Sequence, residues 1–413
     1  MFHRMDIFYA ARSQYGVLDH FTEQIFVALE RLGINCRLLE VVKEDPSNQF
    51  ITKLIEDPPE CTLSFNGLLP NASGDFLADY LEIPHIACIV DSPHYFLKLT
   101  ESSHTIVTCP DRFASQFFTP LFQNPVLFMP HAIEKELLLD PPEEEKIYPV
   151  VMLASCIDYK LRKEQWRSRY NLSVYRALKE AASIVLGDQV TPFVQAMATT
   201  FEIHTRMDND PRTKEVNSIR LLDELEKYVR GKDRTLLIKG IKDAPVHIFG
   251  AKEGDSDWEK CLEGAPPNVI LNPAISFFEA KEVMKRAKIV LNSCPTIKNG
   301  AHERIFAGIA AGALVITSEN AYLKEFFKDN ESIVFYQHGR WDEVNDKVNY
   351  YLAHEAERRA IVEKGREIVL KHHTWDHRAK QLLENLVKLD KDELFLPAIT
   401  FSRLVASKKK QNS

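Results

Sequence analysis

The chain has 413 residues, of which 45% are hydrophobic, 10% aromatic and 27% charged, and its formal net charge is −7. These fractions exclude wholesale disorder, collagen-like repeats and a disulfide scaffold, and the acidic balance gives no global attraction for nucleic acid or an anionic membrane. There are 15 glycines, and no two are spaced as G-x-G, which argues against the dinucleotide fingerprint of a dehydrogenase.

The odd count of seven cysteines, with no C-x-x-C, suits a reducing compartment and no disulfide framework. No stretch of the chain is an unbroken apolar run long enough to span a bilayer. The opening MFHRMDIFYAARS reads as a strand start, not a signal peptide. The expectation is a cytoplasmic protein with no integral membrane segment.

In chain order, Asp6 to Ala10 reads as a short apolar strand followed by a polar turn over Arg12 to Gly16. Phe21, Ile25, Phe26, Leu29 and Leu32 then recur at helical spacing, with Gly33 placed to close the helix. Strands are expected at Cys36 to Val42, Thr62 to Gly67, the HIACIV run after Pro84, Thr105 to Cys109 and Val126 to Met129. Helical segments fall through Phe76, Leu77 and Tyr80 and again through Phe113 and Phe117. Continuous apolar runs bounded by turn signals fit strands buried on both faces, and the alternation predicts a parallel α/β sheet.

Pro141-Pro142-Glu143-Glu144-Glu145-Lys146 is a stiff, charged break. A second strand series begins at Tyr148 to Ala154 and is interrupted by a mostly helical stretch over about 162–231. It resumes with Thr235 to Ile238, Val246 to Phe249, Val269 to Leu271, Ile289 to Asn292, Leu314 to Thr317 and Ile333 to Tyr336. Helices are expected over Ser276 to Ala287 and Arg304 to Ala311. The expected domains are 1–140, 146–374 with the helical insertion, a terminal helix over 375–395 that returns towards the first domain, and a solvated tail over 396–413.

Ligands of open α/β sheets bind beyond the carboxyl ends of strands, so residues that directly follow apolar runs are the site candidates. The richest such place is the loop from Asn292 to Arg304. It offers Lys298 and then a helix expected to start near Asn299 or Gly300, whose N–H groups and positive end suit an anion. His302, Glu303 and Arg304 fall in the expected first turn. Lys160 after the first strand of the second series, and Lys239 after Thr235 to Ile238, fit the same edge. In the first domain Asp91 and His94 directly follow a buried strand, and either suits a general base for a hydroxyl. Tyr15 and Gly16 in the first turn, with His131 near the break, complete the acceptor-side candidates.

The segment NGAHERIFAGIAAGALVITSENAYLKEFF resembles the nucleotide-sugar site of GT-B glycosyltransferases, in particular the family 1-like group related to the spore maturation protein CgeB. IPHIACIVDSPHYF, PVLFMPHAIEKE and HTWDHRAKQLLENL are similar to other parts of that group, in the same order. The resemblance implies an α/β fold of two Rossmann-like parallel-sheet domains facing a cleft, with the insertion in the second. It also implies transfer of a sugar from a nucleotide-diphosphate-sugar donor to a glycan, lipid, protein or other acceptor. The donor is a substrate and no cofactor is expected. Many retaining members carry a glutamate five residues before the glycine of A-A-G; here that position is Ala307, and Glu303 lies one turn earlier on the same face. The resemblance therefore assigns Lys160, Lys239, Lys298, Asn299, Gly300, His302, Glu303 and Arg304 to the donor. An epimerase or hydrolase of the same architecture, or a non-catalytic binding module, are the alternatives.

Three D-x-D triplets, at Asp208, Asp255 and Asp390, fall in polar turns or helix surfaces instead of at strand ends and read as turn formers. No H-E-x-x-H or Walker A run exists. The His372, His373 and His377 group sits at the start of the terminal helix and reads as structural. No metal site is expected.

Overall fold

The computed structural model describes residues 3–10, 16–41, 49–124, 126–139, 145–251, 256–264 and 267–391. Tyr15, the 141–144 part of the charged break and the 396–413 tail lie outside these. Among the described residues, twelve strands form two six-stranded parallel sheets, each in its own compact unit.

The first unit is Met1–Lys135 together with His373–Ser413. It runs β1 (Arg4–Tyr9), α1 (Val17–Arg31), β2 (Asn35–Glu40), α2 (Gln49–Glu56) and β3 (Cys61–Phe65). It continues through α3 (Leu77–Leu81), β4 (His85–Cys88), β5 (Thr105–Cys109), α4 (Arg112–Phe118) and β6 (Val126–Phe128). The sheet order is β2-β1-β3-β4-β5-β6, so the winding reverses between β1 and β3. β3, β4 and β5 are buried at every position, as expected of strands covered on both faces. Gly33, at φ +84, ends α1 in the left-handed conformation that a glycine adopts without strain.

The second unit is Glu136–His372. It opens with α5 (Glu136–Leu139) and β7 (Tyr148–Leu153), followed by α6 (Tyr159–Arg169), α7 (Leu172–Gly187), α8 (Phe193–Thr205), α9 (Pro211–Lys214) and α10 (Ser218–Gly240). Then come β8 (Val246–Ala251), α11 (Ser256–Cys261), β9 (Val269–Pro273), α12 (Phe277–Lys285), β10 (Ala287–Asn292) and α13 (Glu303–Ala310). The unit closes with β11 (Leu314–Ser318), α14 (Ala321–Phe326), β12 (Val334–Tyr336), α15 (Glu343–Ala353) and α16 (Glu355–His372). The order β12-β11-β10-β7-β8-β9 reverses between β7 and β10, the arrangement of a doubly wound nucleotide-binding sheet. Val150, Met152, Ile248, Ile289, Leu291 and Ile316 fill the core on one side, with Leu237, Ile238 and Ile241 packed against them.

That last contact corrects one expectation. Thr235 to Ile238 is not a strand; it lies in the last turns of α10, a 23-residue helix. Its β-branched residues favour strand locally, but Leu221, Leu225, Tyr228 and Val229 already bury one helical face. A growing helix adds one hydrogen bond per residue, which outweighs the small local preference.

The chain returns to the first unit with α17 (Trp375–Lys391). Trp375 packs against Phe21 of α1 at 5.1 Å and edge-on to Phe65 at 5.7 Å. Arg378 donates to the Pro130 carbonyl at 2.8 Å, and Gln381 to that of Phe128 at 2.9 Å. Asp376 is held by Arg31 and Lys135.

Candidate functional site

In the second unit the switch point between β7 and β10 lies where Ala154–Ser155 and Ser293–Cys294 leave the sheet. Three glycines fix the backbone here. Gly250, at φ +141, lies against the Ala154 carbonyl, and Gly231 of α10 lies against the Ile157 carbonyl; a Cβ at either place would run into backbone. Gly308 lets α13 pack on Val315 and Val290.

Close packing brings α10 over the strand ends and delivers Arg230 and Arg234 to one face. Arg234 is 7% exposed and donates to the Ser155 carbonyl at 3.0 Å. Burial, together with the like charges of Arg230 and Arg304, pulls its pKa down to about 9. Burial also pushes the Cys294 thiol up to about 11, although Arg230, Arg304 and Arg234 all pull it the other way. One thiol thus lies within the field of three guanidinium groups. Arg230 has a partner, Glu226, at 3.0 Å. Among the described residues no carboxylate pairs with Arg234 or Arg304.

The third arginine comes from α13. That helix begins at Glu303, with the His302 ring as N-cap accepting from the Arg304 N–H, so the start is three or four residues later than expected. Asn299 and Gly300 belong to the buried loop before it, and the Gly300 carbonyl accepts from Asn320 at 3.0 Å. Glu303 is 8% exposed, and one of its oxygens lies 2.5 Å from His302 Nδ1. Ala307, one turn on, is buried and packed.

Two of the lysines are placed differently from expectation. Lys298 is fully buried, and its ammonium donates to the Val185 and Asp188 carbonyls at 2.6 and 2.8 Å. A buried cation needs such acceptors, and here they tie the loop to α7. Lys239 sits in the last turn of α10, not after a strand, and donates to the Glu263 carbonyl at 2.7 Å. Lys160 is exposed in the first turn of α6, where Asp158 caps the helix by accepting from the Lys160 and Leu161 N–H groups. The structure therefore sets His302, Glu303 and Arg304 at the start of α13, with Arg304 in electrostatic reach of Arg230 and Arg234, while Lys298 and Lys239 hold backbone.

Beneath this cluster Asp233 is completely buried. It accepts from Ser293 Oγ at 2.5 Å, Trp341 Nε1 at 2.8 Å and the Tyr336 hydroxyl at 3.3 Å, with the His338 ring 3.5 Å away. Burial alone would raise its pKa, but the His338 ring and these donors outweigh it and hold the carboxyl below its usual value. Sequence reading missed Arg230, Asp233 and Arg234. The available signal was two arginines four residues apart within an interrupted helical stretch, which puts them on one face.

In the first unit Asn66, at φ +59 directly after β3, donates to Asp91 Oδ2 at 2.9 Å and accepts from the Val90 N–H. Asp91 is half-buried. His94 is fully buried, with its ring 4.0 Å from that of Tyr95. Gly16, at φ +84, caps α1. His131 is buried, 5.9 Å from the Phe21 ring, and its carbonyl faces Arg378. His373 contacts Arg378 at 3.2 Å, and His377 contacts the Thr374 hydroxyl at 2.8 Å. Asp208 and Asp210 serve the turn that opens α9.

Residues 232–384 match a family model described as glycosyl transferase-like. No curated protein matches the chain by sequence. Among solved structures, a glycosyltransferase from Rickettsia africae is 10% identical with a TM-score of 0.51, over 96% of this chain and 99% of its own. Sucrose-phosphate synthase from Thermosynechococcus elongatus gives 10% and 0.51, over 94% and 99%. Anabaena HepE in complex with UDP and glucose gives 11% and 0.50, over 94% and 100%. At such identity the likeness is one of fold, and that fold is the two-sheet GT-B architecture.

Proposed function

We propose that the protein is a glycosyltransferase, within the group related to the spore maturation protein CgeB, that moves a hexosyl unit from a nucleoside-diphosphate-sugar to an acceptor hydroxyl. The observation that carries this is the convergence of Arg230, Arg234 and Arg304 with the α13 start at the sheet's switch point. Two of these guanidinium groups have no carboxylate partner among the described residues, so their charge is available to a dianionic ligand. A diphosphate offers several acceptor oxygens, and arginine binds such groups in a two-pronged manner. The arginines would also stabilise the charge that grows on the leaving diphosphate, the electrostatic task of this chemistry without a metal. The match of 232–384 to a glycosyl transferase-like family supports the same reading.

In this reading Glu303 accepts from donor hydroxyls, His302 orients Glu303, and Asn299 and Gly300 shape the loop that leads into α13. Lys160 lies at the same strand edge as a further cation for the donor. Asp91, half-buried and oriented by Asn66, is the general base for the acceptor hydroxyl, with His94, Gly16 and His131 shaping the acceptor side of the first unit. The seven thiols suit action in the cytoplasm.

The test uses calorimetry against UDP, UDP-glucose and a panel of other nucleotide sugars, with a parallel assay of donor hydrolysis. The reading expects micromolar or tighter binding of one donor, slow hydrolysis without acceptor, and loss of turnover in Asp91→Asn with donor binding retained. A second reading, a binding module, is favoured by the packed Ala307 where retaining relatives carry an acid. Tight donor binding with no turnover of any donor or acceptor would select it. Isomerised free sugar nucleotide would select the epimerase.

A further inference from the structure

The loop after β7 carries a feature that sugar transfer does not use. Cys156 Sγ lies 3.2 Å from Cys261 Sγ, at the last residue of α11, although 105 residues separate them. Cys156 is half-exposed, whereas Cys261 is 2% exposed. A disulfide needs the two sulfurs at about 2.05 Å, so the sulfurs must close by roughly an ångström. The Lys239 ammonium lies at the Glu263 carbonyl, two residues beyond Cys261. The half-exposed Cys156 is the thiol open to a solvent oxidant, and its thiolate is the reactive form.

The neighbouring residues tie this pair to the arginine cluster. Ser155, one residue before Cys156, gives its carbonyl to Arg234. Ile157, one residue after, lies with its carbonyl against Gly231 of α10. The loop is thus clamped on both sides of Cys156, and a shift of this residue towards α11 must pull on the Ser155 contact. We propose that Cys156 and Cys261 form a reversible thiol–disulfide site, and that closing it weakens anion binding at Arg234.

The chemistry balances with a peroxide as oxidant. The Cys156 thiolate attacks one peroxide oxygen, breaking the O–O bond and releasing one water after protonation, which leaves a sulfenic acid. The Cys261 sulfur then displaces that hydroxyl as a second water and forms the S–S bond. Two electrons pass from the two thiols to the peroxide, and a dithiol reductant reverses the process. The effect on anion binding rests on the proposed donor site; the disulfide itself does not.

The experiment treats the full chain with stoichiometric hydrogen peroxide, then counts thiols and maps cross-linked peptides by mass. UDP affinity is measured by calorimetry before oxidation, after oxidation and after re-reduction. The expected result is a loss of two thiols, a Cys156–Cys261 cross-link, and UDP binding weaker by roughly tenfold that recovers on reduction. Cys156→Ser and Cys156→Ala should bind UDP as the reduced protein does and be insensitive to peroxide. Absence of the cross-link overturns the site, and a cross-link with unchanged UDP affinity overturns its coupling to Arg234. If the reduced protein binds neither UDP nor any other nucleotide of the panel, the donor reading fails while the cross-link still decides the disulfide.

Discussion

Asp233 accepts a 2.5 Å hydrogen bond from Ser293, and so joins the middle of α10 to the loop that leaves β10. The carboxylate is fully buried and also serves Trp341 and Tyr336. Removing it leaves three donors unsatisfied in the interior, beside the arginines of α10. Asp233→Ala should destabilise the protein by about 3 kcal/mol, and Asp233→Asn by less. Its depressed pKa makes this contribution complete above the usual carboxylate range and lost as pH falls below it. Urea unfolding at pH 7 and pH 3 reads both; equal loss from the two substitutions at both pH values would contradict the assignment.

Arg304 has no carboxylate partner among the described residues, so its removal should spare the fold. Arg304→Ala should lower UDP affinity by about tenfold or more, the worth of one charge-assisted bond pair, while the melting temperature moves little. Calorimetry and a thermal melt on one sample make the comparison. A large melting shift with unchanged affinity would give Arg304 a structural role instead.

Burial and the like charges of Arg230 and Arg304 hold the pKa of Arg234 below the usual arginine value, yet an arginine keeps its charge inside proteins. A bound diphosphate relieves that repulsion, so Arg234→Gln should lower UDP affinity by about tenfold or more. Calorimetry reads the change, and unchanged affinity would contradict the assignment.

Gly231 marks a close approach of α10 to the loop after β7. A Cβ there meets the Ile157 carbonyl, which is backbone and yields poorly. Gly231→Ala should cost about 2 kcal/mol of stability through overpacking, despite alanine's better helix propensity. It should also weaken UDP binding, because the displaced loop holds the Arg234 contact. Gly187→Ala, at a position with open space around it, is the control and should be neutral to stabilising.

Much of the architecture was legible in the chain. Apolar runs such as IACIV and the Ile289 to Leu291 stretch have no polar face, which fits strands buried on both sides. Gly33 marked a helix end through local chemistry, as a left-handed residue; the helix expected from Ser276 does begin there, with a capping box that the structure adds. The importance of the 292–304 loop was also legible, because strand-end loops in such sheets face ligands.

What the sequence alone determined was therefore the kind of fold and the strand-end loop at which a ligand is expected. Tertiary structure decided which side chains face that loop. Thr235 to Ile238 read as strand because local propensity favours it, yet they complete a long helix whose stability comes from a buried face spread over 23 residues. Arg230 and Arg234 became site candidates only once that helix lay across the ends of β7 and β10. Lys298 and Lys239 looked available for phosphate, but burial and nearby carbonyls engaged them. Charge can be read from sequence; which partner satisfies each charge depends on contacts between residues far apart in the chain.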